Sequence, residues 1–139
     1  MTKEFTLEVL TPSKSLTATT VSEVVMPGYD GEVGVLADHE DFVGMLGTGP
    51  LKYVKGGNDY WLMISQGVYE VREGQLTVLA KQAEPPTKDD PEVIRTQLRT
   101  LEEKLFSTNS ESEEAKVLKL DIERTKARLD VHRRTEILN

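Results

Sequence analysis

The chain of 139 residues contains no cysteine, which excludes disulfide bonds, thiolate nucleophiles and cysteine-based zinc sites. No apolar run approaches the length of about 18 residues that a membrane-spanning helix requires, and residues 1–10 lack the apolar block of a signal peptide. Basic residues are outnumbered, 17 against 24 acidic ones, and the net charge is −7. This balance argues against duplex nucleic acid as a ligand, because phosphate contacts need clustered Lys and Arg.

Glycine is absent after residue 74, since all ten glycines lie before residue 75. Seven of the eight aromatic residues lie there too, and helix-forming residues dominate after Pro85-Pro86. Glycine suits tight turns and destabilises helix interiors. We therefore expect an α+β chain, in which an N-terminal antiparallel β-sandwich over residues 1–86 is followed by a C-terminal antiparallel two-helix hairpin over residues 87–139.

The first half shows the period-two pattern of strands separated by turn signals. Phe5, Leu7 and Val9 alternate with polar residues, as in a half-buried strand, and residues 21–26 form a second run that ends at Pro27-Gly28. Two hairpins are predicted where glycine-containing turns separate β-rich runs, around Gly56-Gly57 and around Glu73-Gly74.

The second half shows helical periodicity. Asp90 before Pro91 is typical of a helix N-cap, and Ser110 with Glu113 fits a capping box for a second helix. Each helix carries one apolar stripe, formed by Ile94, Leu98, Leu101 and Leu105 on the first and by Ala115, Leu118, Ile122, Thr125, Leu129 and His132 on the second. Such a hairpin buries little surface, so it should be the less stable half of the chain and the one that rearranges.

Motifs for catalysis are missing. The spacing of Gly28, Gly31 and Gly34 is not the dinucleotide fingerprint, and the predicted turns and short strands explain these glycines. His39-Glu40-Asp41 lacks distant partners for a metal, and no serine lies in a nucleophile turn. The sequence therefore predicts no catalytic residues, no metal site and a binding or mechanical role.

Positive charge concentrates in residues 116–139, where seven bases face four acids. This segment is either a docking element for an acidic partner or a solvated helix face with internal ion pairs. The charge pattern alone does not separate the two interpretations.

The order of several motifs resembles the epsilon subunit family of F-type ATP synthases. Residues 25–36 (VMPGYDGEVGVL) followed by His39 resemble its signature segment, and residues 64–71 and 76–80 continue the pattern in order. With the two helices, the resemblance covers essentially the full chain. Asp38, Asp41 and Gln66 depart from the family pattern, which usually has glycine, proline and glycine there, and these departures affect the loop contacts.

The resemblance implies a non-catalytic, regulatory subunit of the central stalk, or rotor. In this family the β domain binds the gamma subunit and the membrane rotor ring of c subunits, which couples proton translocation to ATP synthesis in the catalytic head of alpha and beta subunits. The helical hairpin folds against the β domain or extends beside gamma, where it inhibits ATP hydrolysis. The implied location is peripheral, on the cytoplasmic face of the bacterial plasma membrane.

The resemblance also assigns roles to individual residues. Glu32 and His39 match loop positions that face the rotor ring. The cations expected to meet acidic segments of the catalytic subunits are Arg124, Lys126, Arg128, Arg133 and Arg134, and we expect their neutralisation to relieve inhibition of hydrolysis.

Some family members bind regulatory ATP within the folded hairpin. The corresponding residues here are Glu92, Arg95 and Arg128, but the motif is incomplete because Glu92 replaces an aspartate and its apolar neighbours are lost. The sequence therefore does not favour ATP binding, and we expect no cofactor.

One alternative belongs to a different functional class. A small-molecule-binding β-sandwich with a helical dimerisation arm would self-associate through the helix stripes, at Ile94, Leu98, Leu118 and Ile122. Purification as a lone homodimer would favour it, whereas purification with several ATPase subunits would favour the stalk subunit. An unrecognised hydrolase is a third interpretation, which the missing nucleophile disfavours.

Overall fold

A computed structural model describes residues 3–138, with side chains described for residues 3–136. Seven strands precede two helices. The strands are β1 Phe5–Leu10, β2 Ser15–Val21, β3 Glu23–Gly28, β4 Gly31–Leu36, β5 Phe42–Lys55, β6 Asn58–Arg72 and β7 Gln75–Glu84. The helices are α1 Pro91–Phe106 and α2 Glu113–Leu138.

The strands form one sheet in the order β2-β1-β7-β6-β5-β3-β4, which curls around a single apolar core to form a sandwich. Neighbouring strands pair antiparallel, except that β1 pairs with β7 in parallel. Buried side chains from β1 to β7, among them Leu7, Met26, Leu51 and Ile64, form this core. The predicted fold class, a β-sandwich followed by a helical hairpin, is confirmed.

Both predicted hairpins are present, and their turns explain why the sequence revealed them. Gly56 and Gly57 have φ angles of 58° and 78°, and Glu73 and Gly74 have 49° and 74°. Two successive positive φ angles are the geometry of the type I′ turn, which matches the twist of paired strands. The predicted strand over residues 21–26 is wrong in its start, because β2 ends at Val21 and β3 begins at Glu23.

β6 is kinked at Gln66 and Gly67, whose φ angles are 61° and 123°. The alternation of side chains reverses at this kink, although the register with β5 and β7 is the same on both sides of it. Before the kink the inward residues are Leu62 and Ile64, and after it they are Tyr69 and Val71. This strand of 15 residues thereby contributes residues to the apolar core on both sides of the kink.

The helix ends follow simple capping rules. The Asp90 carboxylate accepts a hydrogen bond from the backbone N–H of Glu92 at 2.8 Å, as predicted for the N-cap of α1. The predicted capping box of Ser110 and Glu113 is wrong. Ser112 Oγ instead accepts from the N–H of Ala115 at 3.1 Å, because Ser110 lies within the turn that precedes α2. Over residues 3–138, neither helix is long and apolar enough to cross a membrane.

Candidate functional site

The face of α2 that meets the sheet carries a small apolar cluster. Ala127 and Val131 of α2 pack on Met63 of β6, and Trp61 lies against the same cluster. Met63 and Val131 are each 1% exposed. We call this cluster, with the polar contacts that surround it, the hairpin interface.

An ion pair closes one side of the hairpin interface. The Arg128 guanidinium donates to both oxygens of the Glu84 carboxylate, from Nε at 2.7 Å and from Nη2 at 3.0 Å. Each side chain is about one-third exposed, 29% for Arg128 and 33% for Glu84. A two-pronged contact of this kind fixes orientation as well as adding attraction, so it sets the position of α2 along the sheet.

Two further arginines of α2 make unusual contacts with the sheet. Arg124 Nε donates to Ser65 Oγ at 2.8 Å, and Ser65, which is fully buried, also shares a hydrogen bond with Thr48. Arg134 lies over the Trp61 ring, with its guanidinium carbon 5.0 Å from the ring centroid. Both contacts place a cation on a neutral group, so they hold α2 less firmly than carboxylate pairs would.

The charged state of Glu84 is stabilised by docking of the hairpin. The hydrogen bond from Arg128 holds the pKa of the Glu84 carboxyl below its ordinary value of 4.5, although partial burial opposes this shift. The same contact raises the pKa of Arg128. The Glu84–Arg128 pair therefore contributes its stabilisation above the ordinary pKa of a glutamate and loses it as the pH falls through the lowered value.

We expect α2 to dock less firmly below pH 4.5, because protonation of Glu84 removes its charge from Arg128. Fluorescence of Trp61, the only tryptophan of the chain, should report the change as the pH falls. Glu84→Gln should abolish this transition, whereas Glu123→Gln, at an exposed position of α2, should retain it. An unaltered transition in Glu84→Gln would contradict the assignment.

The hairpin and the sandwich have separate apolar cores. The core of the sandwich contains no residue of α1 or α2 among the described side chains, and the hairpin interface forms a second, smaller cluster. α1 packs on α2, whereas α2 packs on β5 and β6 as well as on α1, and Ile94, Leu118 and Ile122 are buried. The hairpin can therefore leave the sheet without opening the core of the sandwich.

A second surface lies on the part of the sheet that follows the kink of β6, away from the hairpin interface. Met45, Val68 and Leu79 stand opposite one another on β5, β6 and β7, and they are 60%, 41% and 46% exposed. Val43, two residues from Met45 on the same face, is 64% exposed. We call these four residues the apolar row. Contiguous exposed apolar side chains of this kind mark interaction sites.

The predicted ring-facing residues lie at the two ends of the edge strand β4. Glu32 lies within β4, where a loop position was expected, and lines a cleft of about 390 Å³ with Tyr29, Phe42 and Met45. His39 follows the strand in a turn, and its Nδ1 lies 2.6 Å from the backbone carbonyl oxygen of Glu40. The structure does not bring Glu32 and His39 together, and Glu32 shares a cleft with Met45 of the apolar row.

The five cations predicted on α2 divide into two groups. Arg124, Arg128 and Arg134 contact the sheet, whereas Lys126 and Arg133 are exposed. The sequence contains a signal for this division of the cations. Ala127 and Val131 lie four residues apart on α2 and mark a second apolar face, beside the arginines that contact the sheet.

The residues predicted for ATP do not converge. Glu92 pairs with Arg95 on α1, and Arg128 is held by Glu84. Arg95 instead shares a cleft with His132 and the exposed Arg133. Among the described residues, no group of three or more His, Asp or Glu side chains is arranged to hold a metal ion.

Sequence reasoning missed the sheet side of the hairpin interface and the apolar row. Trp61 packs against α2, and Glu84 carried no signal because its partner is 44 residues away. The apolar row was hidden because the inward positions of β5 and β7 also change parity, from Leu46 to Leu51 and from Ala80 to Ala83, and only strand pairing aligns their exposed residues.

Comparison with known proteins identifies relatives over most of the chain. Residues 4–86 match the family model described as the ATP synthase, Delta/Epsilon chain, beta-sandwich domain. The ATP synthase epsilon chain of Nitratidesulfovibrio vulgaris (strain Miyazaki F) is 39% identical over 95 residues, which cover 68% of this chain and 71% of that protein. The ATP synthase epsilon chain of Geotalea daltonii is 33% identical over 131 residues, which cover 94% and 95%.

Solved structures share the fold. A chain in the Euglena gracilis mitochondrial ATP synthase structure, which contains OSCP, F1 and the c-ring, matches with a TM-score of 0.71 at 23% identity. The match covers 96% of this chain and 80% of that chain. A chain in the central stalk and c-ring structure of the Tetrahymena thermophila mitochondrial ATP synthase matches with a TM-score of 0.57 at 12% identity, over 94% of both chains.

Proposed function

The chain belongs to the family of ATP synthase epsilon chains, and we propose that its β-sandwich docks on the rotor while its hairpin restrains ATP hydrolysis. Its relatives are named as chains of the ATP synthase, so the protein is an accessory subunit rather than an enzyme in its own right. The small hairpin interface, separate from the core of the sandwich, is the observation that carries the regulatory part of this proposal.

The apolar row supports docking on the gamma subunit. Its four side chains lie on one face of three adjacent strands and leave a contiguous apolar surface in water. Burial of this surface would supply the hydrophobic contribution to binding. The adjacent edge of the sheet, with Glu32 and His39, would then face the rotor ring.

Met45→Glu should weaken binding to the gamma subunit by roughly tenfold or more, because binding would bury an unpaired carboxylate within an apolar contact. The fold should persist, since Met45 is 60% exposed. Titration calorimetry with purified gamma measures the change. Val93→Glu, at a 48% exposed position on α1, is the matched control and should bind normally. Equal affinities of the two variants would refute docking through the apolar row.

The contacts of the hairpin support a model in which α2 restrains ATP hydrolysis only after it has left the sheet. In the docked state Arg124 and Arg128 are held by the sheet, whereas Arg134 is half exposed over Trp61 and pairs with Asp130 of the same helix. Release would free Arg124 and Arg128 beside the exposed Lys126 and Arg133 and give a helix with four available cations. Such a helix suits an acidic surface of the catalytic subunits.

Neutralising Lys126 and Arg133 alone tests partner binding separately from docking of the hairpin on the sheet. Lys126→Gln with Arg133→Gln should raise ATP hydrolysis of the reassembled synthase severalfold, because the released helix loses attraction for an acidic partner while the hairpin interface is untouched. Lys116→Gln with Lys119→Gln, two exposed cations nearer the start of α2, is the control. If both pairs leave hydrolysis unchanged, the released helix does not act through Lys126 and Arg133.

We propose further that the docked hairpin needs no bound nucleotide. Arg128, which a nucleotide in the hairpin would use, is already engaged by Glu84. An ATP phosphate that used Arg128 would have to displace the Glu84 carboxylate from it.

The family also supports a location. A subunit that docks on the rotor ring would be held peripherally at the cytoplasmic face of the bacterial plasma membrane. The two epsilon chains described above as sequence relatives come from bacteria.

A further inference from the structure

The methionines of the chain differ sharply in their exposure to solvent. Of the four in the sequence, Met1 lies outside the described residues. Met26 is 0% exposed in the core of the sandwich, and Met63 is 1% exposed beneath α2 in the hairpin interface. Met45 on β5 is 60% exposed, and it also lines the open cleft of about 390 Å³ beside Glu32. Among the described methionines, Met45 is therefore the one whose side chain a small reagent in water can reach.

Met45 belongs to the apolar row, so its polarity bears on the surface that the row forms. It lies opposite Val68 of β6, and Val68 lies opposite Leu79 of β7. Beyond Leu79, the half-buried Leu10 of β1 continues the same apolar surface. These neighbours and Val43 have aliphatic side chains, which carry no hydrogen-bond donor. A polar group created at position 45 would thus lie beside side chains that cannot satisfy it.

We propose that Met45 is a site of reversible oxidation by a hydroperoxide. With hydrogen peroxide, the thioether sulfur attacks one peroxide oxygen, so that a sulfur–oxygen bond forms and the oxygen–oxygen bond breaks. The sulfur loses two electrons, which the peroxide gains, and the departing oxygen takes up the proton of the transferred oxygen and leaves as water. The products are methionine sulfoxide and one water molecule. A methionine sulfoxide reductase restores the thioether.

Oxidation of Met45 should control assembly, a consequence that rests on the docking surface proposed above. The sulfoxide is polar and accepts hydrogen bonds, and docking on the gamma subunit would bury it within the apolar row. Burial of an acceptor without a donor opposes binding, so the oxidised subunit should bind gamma about tenfold more weakly or worse. Docking would in turn cover Met45. Oxidation therefore acts on the free subunit, and a subunit that is already assembled is protected.

Peptide mapping by mass spectrometry measures the oxidation of each methionine when the full-length subunit is kept in dilute hydrogen peroxide. Met45 should be oxidised about tenfold faster or more than Met26 and Met63, because the fold covers those two side chains. In urea that unfolds the chain, the three rates should converge. Equal rates in the folded chain overturn the proposal. A difference that persists in urea also overturns it, because exposure would then not select Met45.

Two variants test whether the effect on gamma binding comes from Met45. Each is treated with peroxide, cleared of it with catalase, titrated with purified gamma and compared with its own untreated sample. Met45→Leu has an apolar side chain of similar volume without sulfur, so peroxide should not change its affinity. Met26→Leu, in the core, should lose about tenfold in affinity, as the parent chain should. An equal loss in Met45→Leu overturns the control of assembly by Met45.

Reversal separates oxidation from damage to the fold. The oxidised parent chain should keep its melting temperature, since position 45 is exposed. Treatment with methionine sulfoxide reductases should restore its affinity for gamma. Affinity that stays low after the sulfoxide has been reduced contradicts a reversible site.

Failure of the oxidation site and failure of the docking surface give different results. Mapping of the free subunit tests oxidation without gamma. If Met45 is oxidised first but neither its sulfoxide nor Met45→Glu weakens binding, the docking surface is wrong and control of assembly falls with it, whereas the oxidation site stands. If Met45→Glu weakens binding and the sulfoxide does not, the surface is right and control of assembly is overturned. Oxidation of Met45 at the same rate in the gamma complex and in the free subunit contradicts docking through the apolar row.

Discussion

Replacing Val131 with aspartate should release the hairpin from the sheet while the β-sandwich stays folded. Val131 is 1% exposed and packs with Ala127 on Met63. A carboxylate at this position would be buried without a partner, at a cost of several kcal/mol. Among the described side chains, the polar contacts of α2 with the sheet are one ion pair and two cation contacts with neutral groups, so we expect the docked population to fall by about a hundredfold or more.

Two measurements check this result. In the free subunit, Trp61 should become accessible to quenchers and its emission should move to longer wavelength, while the sandwich retains its amide protection. In the reassembled synthase, ATP hydrolysis should fall, because the released hairpin is free to reach its partner. Val117→Asp, at a 59% exposed position of the same helix, is the control and should change neither signal.

The behaviour of the sandwich decides whether the two cores are independent. If Val131→Asp unfolds the whole chain in one transition, the hairpin and the sandwich form one cooperative unit. The hairpin then cannot leave the sheet while the sandwich stays folded and docked on the rotor. If the sandwich keeps its melting temperature but hydrolysis is unchanged, release occurs and does not inhibit.

The local parts of the fold could be predicted because their causes lie within a few residues. The turn of Gly56 and Gly57 requires positive φ angles, and the cap of Asp90 lies next to the helix that it starts. The parallel pairing of β1 with β7 could not be predicted in this way, since it joins residues about 70 positions apart in the chain. No local pattern encodes a contact of that range.

The candidate site was predictable in its charges and not in its partners. Arg128 stands out in a basic helix, but Glu84 is an ordinary strand residue until the fold places it opposite. The same applies to Met45 and Val68, which become one surface only through the register of β5 and β6. The composition of a segment gives its net charge, whereas the partner of each charged residue depends on the tertiary structure.

The kink of β6 links the two surfaces. Ser65 before the kink holds Arg124 of α2, and Val68 after it belongs to the apolar row. The positive φ angles of Gln66 and Gly67 turn the side chains beyond position 66 to the face opposite the one that strict alternation would give, while the register with β5 and β7 stays unchanged. Gln66 departs from the glycine that is usual in the family, yet it keeps a positive φ of 61°.

Gly67→Ala should therefore destabilise the sandwich by about 3 kcal/mol or more, with a loss of roughly 10 °C in Tm. Its φ of 123° is unfavourable for alanine, and a Cβ there would meet the carbonyl oxygen of Leu79 at 2.0 Å. That oxygen is backbone of the neighbouring strand, so relief requires separation of β6 from β7. Gly34→Ala, in β4, is the matched control, because a Cβ there has nothing within 4 Å and should change stability by no more than about 0.5 kcal/mol. Equal thermal unfolding of the two variants would show that β6 tolerates a side chain at the kink, and the positive φ of Gly67 would then not determine which residues face α2.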